Sequence, residues 1–294
     1  MGSLRTLVEG FLREVASVVP EMAYQGEGRK ILGGVPGRAE DEDVEIGLDR
    51  TCDELLDRWC ERSGLSIDIY SEHGSRRHYG ATPATYVIAV DPFDGSGLFQ
   101  RGLIAEWWSV LTVFDARTLV PVLGGAVDIL RRELYVADEN GVTLETNLED
   151  RSIIDRENSE IFSVAPVRKM AIDDDMILAA YLMSPVYLSD WTTRAGKLLV
   201  TLRERFPKSR LWPNGGSCIY PWIARGTVHA YVMFNEPRSE VDPGLAFSWA
   251  SKYPIFSVRT DGVLEEYRFD PSQRVGRVPF FIAASTAELA EAIV

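Results

Sequence analysis

The segment VIAVDPFDGSGLF, residues 87–99, most constrains how this chain folds. Its first four residues are apolar β-formers, as in a buried strand, and two carboxylates, Asp91 and Asp94, follow them closely. Gly95 lets the backbone turn tightly. A helix beginning at Ser96 would aim its free N–H groups at the same place. The segment therefore predicts a strand that ends in two carboxylates beside an anion site.

This pairing of charges suggests a particular chemistry. Carboxylate oxygens select hard cations such as Mg²⁺, Mn²⁺ or Ca²⁺, and adjoining cation and anion sites suit phosphoryl hydrolysis. The alternative is a turn with two solvated aspartates, since Asp-Gly is common in loops. Three further acids bear on the choice: Glu72 ends a strand, and Asp49 and Asp242 stand where helices begin. Each also has a structural explanation, such as a helix cap.

Composition narrows the class of protein. The net charge of −13 argues against a nucleic-acid partner, and no apolar run approaches the ~20 residues of a membrane span. Three cysteines without a CxxC motif indicate a reducing compartment rather than a disulfide scaffold. Three histidines offer little for a zinc site or a Ser-His-Asp triad. We expect a cytoplasmic protein that binds neither nucleic acid nor membrane.

Hydrophobic periodicity divides the chain into two parts. Apolar residues at helical spacing predict amphipathic helices over 4–19 and 49–62. Short strands with turns between them follow, which predicts a mostly antiparallel sheet. The polar stretch 145–175 is expected to be a surface excursion or a connection, and strands alternate with helices beyond it. We expect an N-terminal α+β lobe over residues 1–155 and a C-terminal α/β lobe over 156–294.

Five blocks stand in order within residues 45–250: Asp49 at a helix start, Ser71-Glu72-His73, Asp91-Pro92-Phe93-Asp94-Gly95-Ser96, Gly216-Ser217-Cys218, and Val241-Asp242-Pro243-Gly244-Leu245-Ala246. In order and spacing they resemble the motifs [SG]-E-E, DPxDG[ST], G-S-A and W-D-x-A-A-G, with a preceding aspartate, of the inositol monophosphatase and fructose-1,6-bisphosphatase superfamily of Mg²⁺-dependent, Li⁺-sensitive phosphomonoesterases. The resemblance implies an α+β fold, a layered αβαβα sandwich with an antiparallel-sheet N-terminal lobe and a mixed-sheet α/β C-terminal lobe.

The resemblance also implies a metal centre of two or three Mg²⁺ ions, with Mn²⁺ as an alternative ion. Direct ligation of Mg²⁺ needs bonds of ~2.1 Å, so the side-chain ligands should converge within about 5 Å of a common point. The implied ligands are Glu72, Asp91, Asp94, Asp242 and the main-chain carbonyl of Phe93.

Roles in catalysis and substrate binding follow from the same resemblance. Asp49 and Ser96 would orient and deprotonate the attacking water, and the N–H groups of Gly95 and Ser96 would hold the phosphate. A sugar-hydroxyl acid has two candidates, Asn235 and Glu236, and the spacing does not decide between them. The remaining residues implied on the polyol side are Gly216, Ser217, Cys218 and Ser184.

The sequence departs from the family pattern at several supporting positions. His73 replaces the second Glu of the E-E pair, which would weaken a third ion. Gly97 stands where Ser or Thr is usual. Val241 replaces Trp, and Pro243-Gly244 replaces two small residues, so the helix start there must be reshaped.

These observations predict Mg²⁺-dependent hydrolysis of a small polyol or sugar monophosphate, resembling inositol phosphate, by metal-activated water. Three alternatives stay open: a fructose-1,6-bisphosphatase, a 3′-phosphoadenosine 5′-phosphate phosphatase, and a catalytically weak, metal-binding regulatory homologue. No recognisable second phosphate clamp is present, which does not support a bisphosphate substrate. Family members are often dimers, so the resemblance implies a homodimer.

Overall fold

The computed structural model of the chain describes residues 2–23, 26–38, 44–73, 76–148 and 160–294. Its helices are α1 (Gly2–Met22), α2 (Gly47–Ser63), α3 (Ser96–Gln100), α4 (Pro185–Arg194), α5 (Gly196–Arg205), α6 (Ile219–Arg225), α7 (Arg238–Val241), α8 (Leu245–Ser251) and α9 (Ala287–Ile293). Its strands are β1 (Ile31–Gly34), β2 (Val44–Ile46), β3 (Ile67–Ser71), β4 (Arg77–Tyr79), β5 (Tyr86–Asp94), β6 (Trp108–Asp115), β7 (Pro121–Asp128), β8 (Glu133–Asp138), β9 (Gly141–Glu145), β10 (Ile161–Val164), β11 (Ile177–Ala179), β12 (Arg210–Trp212), β13 (Ala230–Pro237), β14 (Ile255–Val258), β15 (Leu264–Glu266) and β16 (Arg277–Ala284).

The first large sheet has the order β10-β9-β8-β7-β6-β5-β3-β4 over the described residues. Strands β3 and β5 are parallel, and every other pair in this sheet is antiparallel. The parallel pair matters for the site because β3 and β5 run side by side and finish at the same edge of the sheet. The expected antiparallel sheet is confirmed.

The second large sheet has the order β12-β11-β13-β16-β14-β15 and is mixed. Strand β11 is parallel to β12 and to β13, whereas β16 is antiparallel to both β13 and β14. The expected parallel pairing in this half of the chain is confirmed. Strand β13 ends at Pro237, directly before α7. Helix α7 contacts β5 of the first sheet.

Two helices cover one face of the first sheet because their apolar residues recur at helical spacing. In α1 the side chains of Leu7, Phe11 and Val15 are fully buried, as the 4–19 pattern predicts. At the start of α2 the Asp49 carboxylate accepts a 2.7 Å hydrogen bond from Ile46 N, which satisfies a free helix N–H donor. Both predicted helices are confirmed, each slightly longer than expected.

A glycine pair in β7 allows helices to pack closely on both faces of the first sheet. A Cβ on Gly124 would lie 2.3 Å from Ala246 Cβ in α8, and a Cβ on Gly125 would lie 2.6 Å from Leu12 Cδ1 in α1. Beyond α8, Tyr220 of α6 meets Phe281 of β16, edge to face. The elements therefore stack in layers, as in the αβαβα sandwich that the resemblance implies.

The polar stretch 145–175 contains a strand that sequence reasoning missed. Strand β10 (Ile161–Val164) pairs with β9, so the first sheet extends past residue 155. Residues 149–159 of this stretch lie outside the described part, and the lobe boundary at 155 stays a prediction. No helix in the described part of the chain combines the length and apolar character needed to cross a membrane.

Candidate metal and phosphate site

A cavity of about 640 Å³ opens where β3 and β5 end and where β13 and α7 face them. Nine of the predicted site residues line it, so the fold brings together positions from most of the chain. They are Glu72, Asp91, Phe93, Asp94, Gly95, Ser96, Ser184, Gly216 and Glu236.

Three carboxylates converge at the base of this cavity. Glu72 directly follows β3, Asp91 belongs to β5, and Glu240 lies on α7. One oxygen from each lies within 4.8 Å of those of the other two. Asp91 Oδ1 and Glu240 Oε2 are buried and have no hydrogen-bond partner among the described residues. Buried carboxylate oxygens without donors are costly. The set therefore fits a hard divalent cation with oxygen ligands.

Asp91 and Asp94 are anchored by the second half of the chain. The Ser217 hydroxyl donates to Asp91 Oδ2 at 2.8 Å, and Cys218 N donates to Asp94 Oδ2 at 2.7 Å. Burial, and then the Asp94 charge, raise the pKa of Asp91 well above its usual value. Burial, and then the Glu240 charge, raise the pKa of Asp94 to about 8. Burial and the neighbouring charges thus favour the protonated forms of this pair, and a divalent ion would offset both effects.

Gly216 packs its backbone against these acids. Its φ is +104°, a conformation that favours glycine. A Cβ there would lie 3.0 Å from Asp94 Oδ2 and 3.1 Å from Glu240 Oε2. Asp94 and Glu240 thus approach the same point from distant parts of the sequence, and a side chain at 216 would enter the acidic cluster.

Asp242, the expected fourth ligand, is not part of the three-carboxylate group. It is 3% exposed and accepts a 2.7 Å hydrogen bond from the Tyr267 hydroxyl. Burial raises the pKa of this carboxyl to about 7. Sequence reasoning missed Glu240, two residues earlier. If Gly244 is aligned with the glycine of W-D-x-A-A-G, Glu240 falls at the position of the motif's aspartate. This alternative alignment is the sequence signal that would have identified Glu240.

His73 lies beside two of the predicted site acids. Its Nε2 atom is 3.7 Å from Asp49 Oδ2 and 3.5 Å from Glu72 Oε2. The side chain is buried, and burial lowers the pKa of this imidazole to about 4. The ring is therefore neutral at neutral pH and adds no positive charge to the cluster.

The predicted anion site lies at the turn after β5. Gly95 has a φ of +108°, and a Cβ there would lie 2.5 Å from Glu106 O. Leu98 N and Phe99 N both donate to Gly95 O, which starts the five-residue helix α3. The N–H groups of Ser96 and Gly97, in the first turn of this helix, are not used by its own hydrogen bonds.

The predicted substrate-side residues separate into two sets. Ser184 and Gly216 line the cavity, whereas Ser217 and Cys218 support the acids by hydrogen bonds and do not line it. The latter two are therefore better placed to position Asp91 and Asp94 than to touch a substrate.

The choice between Asn235 and Glu236 is also clearer in the structure. Glu236 lines the cavity, accepts a 2.7 Å hydrogen bond from the Tyr231 hydroxyl, and has its pKa raised by burial to about 8. Asn235 does not line the cavity, and its Nδ2 lies 3.4 Å from Asp190 Oδ2. The geometry favours Glu236 as the residue that could meet a substrate hydroxyl.

A basic residue that the sequence did not single out, Arg38, touches the carboxylate cluster. Its Nη2 donates to Glu240 Oε1 at 2.7 Å and to Ser239 Oγ at 3.0 Å, and it also contacts Glu72 Oε1. The Arg38 side chain is 9% exposed. No pattern in the sequence marks this residue, because its partners lie 34 to 202 residues away.

Comparison with known proteins identifies the fold of the chain. No protein-family model matches the sequence, and no curated protein matches it. Solved structures do match over almost the whole chain. A hypothetical protein from Pyrococcus horikoshii, described as having similarities to inositol-1 monophosphatase, is 16% identical with a TM-score of 0.67, covering 99% of this chain and 97% of that one.

Two further solved structures agree with this match. An IMPase (inositol monophosphatase) from Thermotoga maritima is 14% identical, with a TM-score of 0.66 and coverage of 100% of this chain and 97% of that one. CysQ from Bacteroides thetaiotaomicron, described as a bacterial member of the inositol monophosphatase family, is 17% identical, with a TM-score of 0.64 and coverage of 95% and 96%. The chain therefore has the layered sugar-phosphatase fold. More particularly, it has the fold of inositol monophosphatase structures, which confirms the predicted fold.

Proposed function

We propose that the protein hydrolyses a small polyol or sugar monophosphate, resembling inositol phosphate, with the aid of Mg²⁺. The observation that carries this proposal is the convergence of Glu72, Asp91 and Glu240 within 4.8 Å, at the base of a cavity whose wall includes the Gly95-Ser96 turn. A cation site and an anion site thus adjoin, on a fold found in inositol monophosphatase structures.

The metal would be held by Glu72, Asp91 and Glu240, and Asp94 and Phe93 line the same cavity. The Phe93 carbonyl stays a predicted ligand. When bound, such an ion lowers the pKa of water and offsets the charge of the phosphate oxygens. Glu240 thereby takes the role expected of Asp242, whose carboxylate is already engaged by Tyr267. Two or three Mg²⁺ ions, or Mn²⁺ in their place, remain our expectation for the loaded centre.

The chain itself supplies a base and a phosphate clamp. Asp49 is fully buried and does not line the cavity; its Oδ2 accepts a hydrogen bond from Ile46 N and lies 3.7 Å from His73 Nε2. It stays our candidate for the base that takes a proton from the attacking water, with Ser96 orienting that water. The N–H groups of Gly95 and Ser96 would hold the phosphate oxygens as charge develops on them.

The cavity favours a hydroxylated leaving group. Glu236 offers a buried carboxyl group, and Ser184 a hydroxyl, in the lining of the same cavity as the Gly95-Ser96 turn. Tyr181 and Tyr187, packed edge to face with ring centroids 5.3 Å apart, add an aromatic wall. A bisphosphate would need a second cluster of basic residues. A nucleotide such as 3′-phosphoadenosine 5′-phosphate could use the tyrosine wall, so it belongs in the substrate panel.

A catalytically weak regulatory homologue is the second candidate function. Two observations favour it: the buried His73 imidazole where the family has a second acid, and the Arg38 guanidinium in contact with Glu72 and Glu240. A homodimer and a cytoplasmic location also stay predictions. Light scattering of the purified protein would test the first of these.

Phosphate release from a panel of polyol, sugar and nucleotide phosphates, with and without Mg²⁺, tests the proposal. The wild type should release phosphate only with Mg²⁺, and Asp91→Asn should abolish release. Asp261→Asn, at an exposed aspartate paired with Arg259, is the matched control and should behave as the wild type. Mg²⁺ binding without release from any substrate would favour the regulatory candidate.

A further inference from the structure

Arg38 contacts two of the three carboxylates that could hold a metal ion. Its Nη2 atom contacts Glu72 Oε1 and lies 2.7 Å from Glu240 Oε1. A divalent ion held by Glu72 and Glu240 would bring a second positive charge next to this guanidinium. The ion and Arg38 would therefore compete for the same two carboxylates.

The position of Arg38 is built into the fold. The turn that presents it is closed by a 3.1 Å hydrogen bond from Arg38 N to Val35 O, and Val35 is 3% exposed. Gly37 has a φ of +80°, and a Cβ there would lie 2.7 Å from Val275 O. Close packing of the chain before β16 thus holds this turn against the cluster.

The chemistry of arginine suits a buried position among carboxylates. A guanidinium stays charged at every physiological pH and is weakly hydrated, so it tolerates burial among carboxylates better than an ammonium does. Arg38 also donates to Ser239 Oγ at 3.0 Å, which fixes the side chain next to α7. Asp91 Oδ1 and Glu240 Oε2, by contrast, have no donor among the described residues.

We propose that Arg38 is an internal cation that competes with a divalent metal ion for Glu72 and Glu240, and so sets the metal affinity of this centre. The inference rests on the proposed function, because it requires the cluster to bind metal. Removal of the guanidinium charge leaves both carboxylates to the ion and should tighten binding. Arg38 is thus a residue that tunes the metal requirement of the site.

Titration calorimetry with Mn²⁺ on the purified full chain tests this competition. Arg38→Gln should bind Mn²⁺ at least about tenfold more tightly than the wild type, which corresponds to about 1.4 kcal/mol. Arg259→Gln is the matched control, since Arg259 also contacts two carboxylates, Asp261 and Glu265, at the surface. It should leave the Mn²⁺ affinity unchanged.

Thermal unfolding supplies a second readout. Without metal, Arg38→Gln should unfold at a lower temperature than the wild type, because two buried carboxylates lose their counter-charge. Mn²⁺ should then raise its midpoint by more than it raises that of the wild type. If Arg38→Gln does not fold, Arg38→Lys retains the charge without the planar fork and should bind Mn²⁺ more tightly than the wild type by a smaller factor.

The outcomes separate this inference from the proposed function. Tighter binding in Arg38→Gln, with Arg259→Gln unchanged, supports the competition. Equal or weaker Mn²⁺ binding in Arg38→Gln overturns it and leaves the metal centre standing. If neither protein binds Mn²⁺, the metal centre itself is wrong, and the competition is overturned with it.

Discussion

The Ser217 hydroxyl donates a 2.8 Å hydrogen bond to Asp91 Oδ2 across 126 residues of sequence. The same hydroxyl lies 3.1 Å from Asp94 Oδ2, so one serine of the second half fixes two acids of the first. The site therefore exists only when the two halves of the chain are packed together. Asp91 and Asp94 of β5 are therefore not sufficient by themselves to form the site.

Removal of this hydroxyl should loosen the site and destabilise the fold. We expect Ser217→Ala to lower the free energy of unfolding by about 1–2 kcal/mol, because the buried Asp91 carboxylate loses a donor. Urea denaturation of the metal-free protein measures this directly. Ser189→Ala, at an exposed serine of α4, is the matched control and should change little. Equal stability of Ser217→Ala and wild type would show that the contact is unimportant.

The glycine at the centre of β7 should tolerate no side chain. Gly124→Ala places a Cβ 2.3 Å from Ala246 Cβ, so α8 must shift, and we expect a loss of about 1–3 kcal/mol of stability. Gly196→Ala is the matched control, since a Cβ there meets nothing within 4 Å. Adding Ala246→Gly should restore part of the loss. No restoration would mean that this contact does not set the distance between sheet and helix.

His229, which lies away from the site, should make the free energy of unfolding depend on pH. Its Nδ1 accepts a 3.0 Å hydrogen bond from Ile177 N, so the ring is neutral in the fold. Burial, with the nearby Lys169 charge, lowers its pKa below the ordinary value of 6.5. The stabilisation is therefore complete above about pH 6.5 and is lost as the pH falls toward the folded-state pKa.

Urea unfolding at about pH 7.5 and about pH 5.5 measures this loss. His229→Asn should flatten the fall in unfolding free energy. His78→Asn, which removes a histidine outside the site, is the matched control and should keep the fall. A His229→Asn protein with the wild-type slope would contradict the assignment.

Sequence reasoning located the part of the site that lies along one strand. The pattern of residues 87–99 places Asp91 and Asp94 at the end of β5 because strand, turn and helix signals are local. The helix start at Asp49 was found for the same reason. Parallel pairing of β3 with β5 then brings Glu72 beside Asp91, as the resemblance to the superfamily implies.

The rest of the site depends on contacts between distant segments. Glu240 and Asp242 are both acids near a helix start, and only packing shows that Tyr267 engages Asp242 while Glu240 turns toward Asp91. Arg38 lies on a loop without periodicity. Strand β10 was missed because it is short and exposed at a sheet edge, so its residues lack the alternating burial of a half-buried strand.

Mg²⁺-dependent phosphate release by Glu240→Gln and Asp242→Asn tests the central claim most directly. If Glu240 completes the metal centre, the rate of Glu240→Gln at limiting Mg²⁺ should fall at least about a hundredfold. Loss of a residue that only supports a metal ligand usually costs about 10- to 100-fold. Asp242→Asn should keep the Mg²⁺ dependence of the wild type, although it unfolds more easily. The reverse order, with Asp242→Asn inactive and Glu240→Gln active, would contradict the assignment of Glu240 and return Asp242 to the centre.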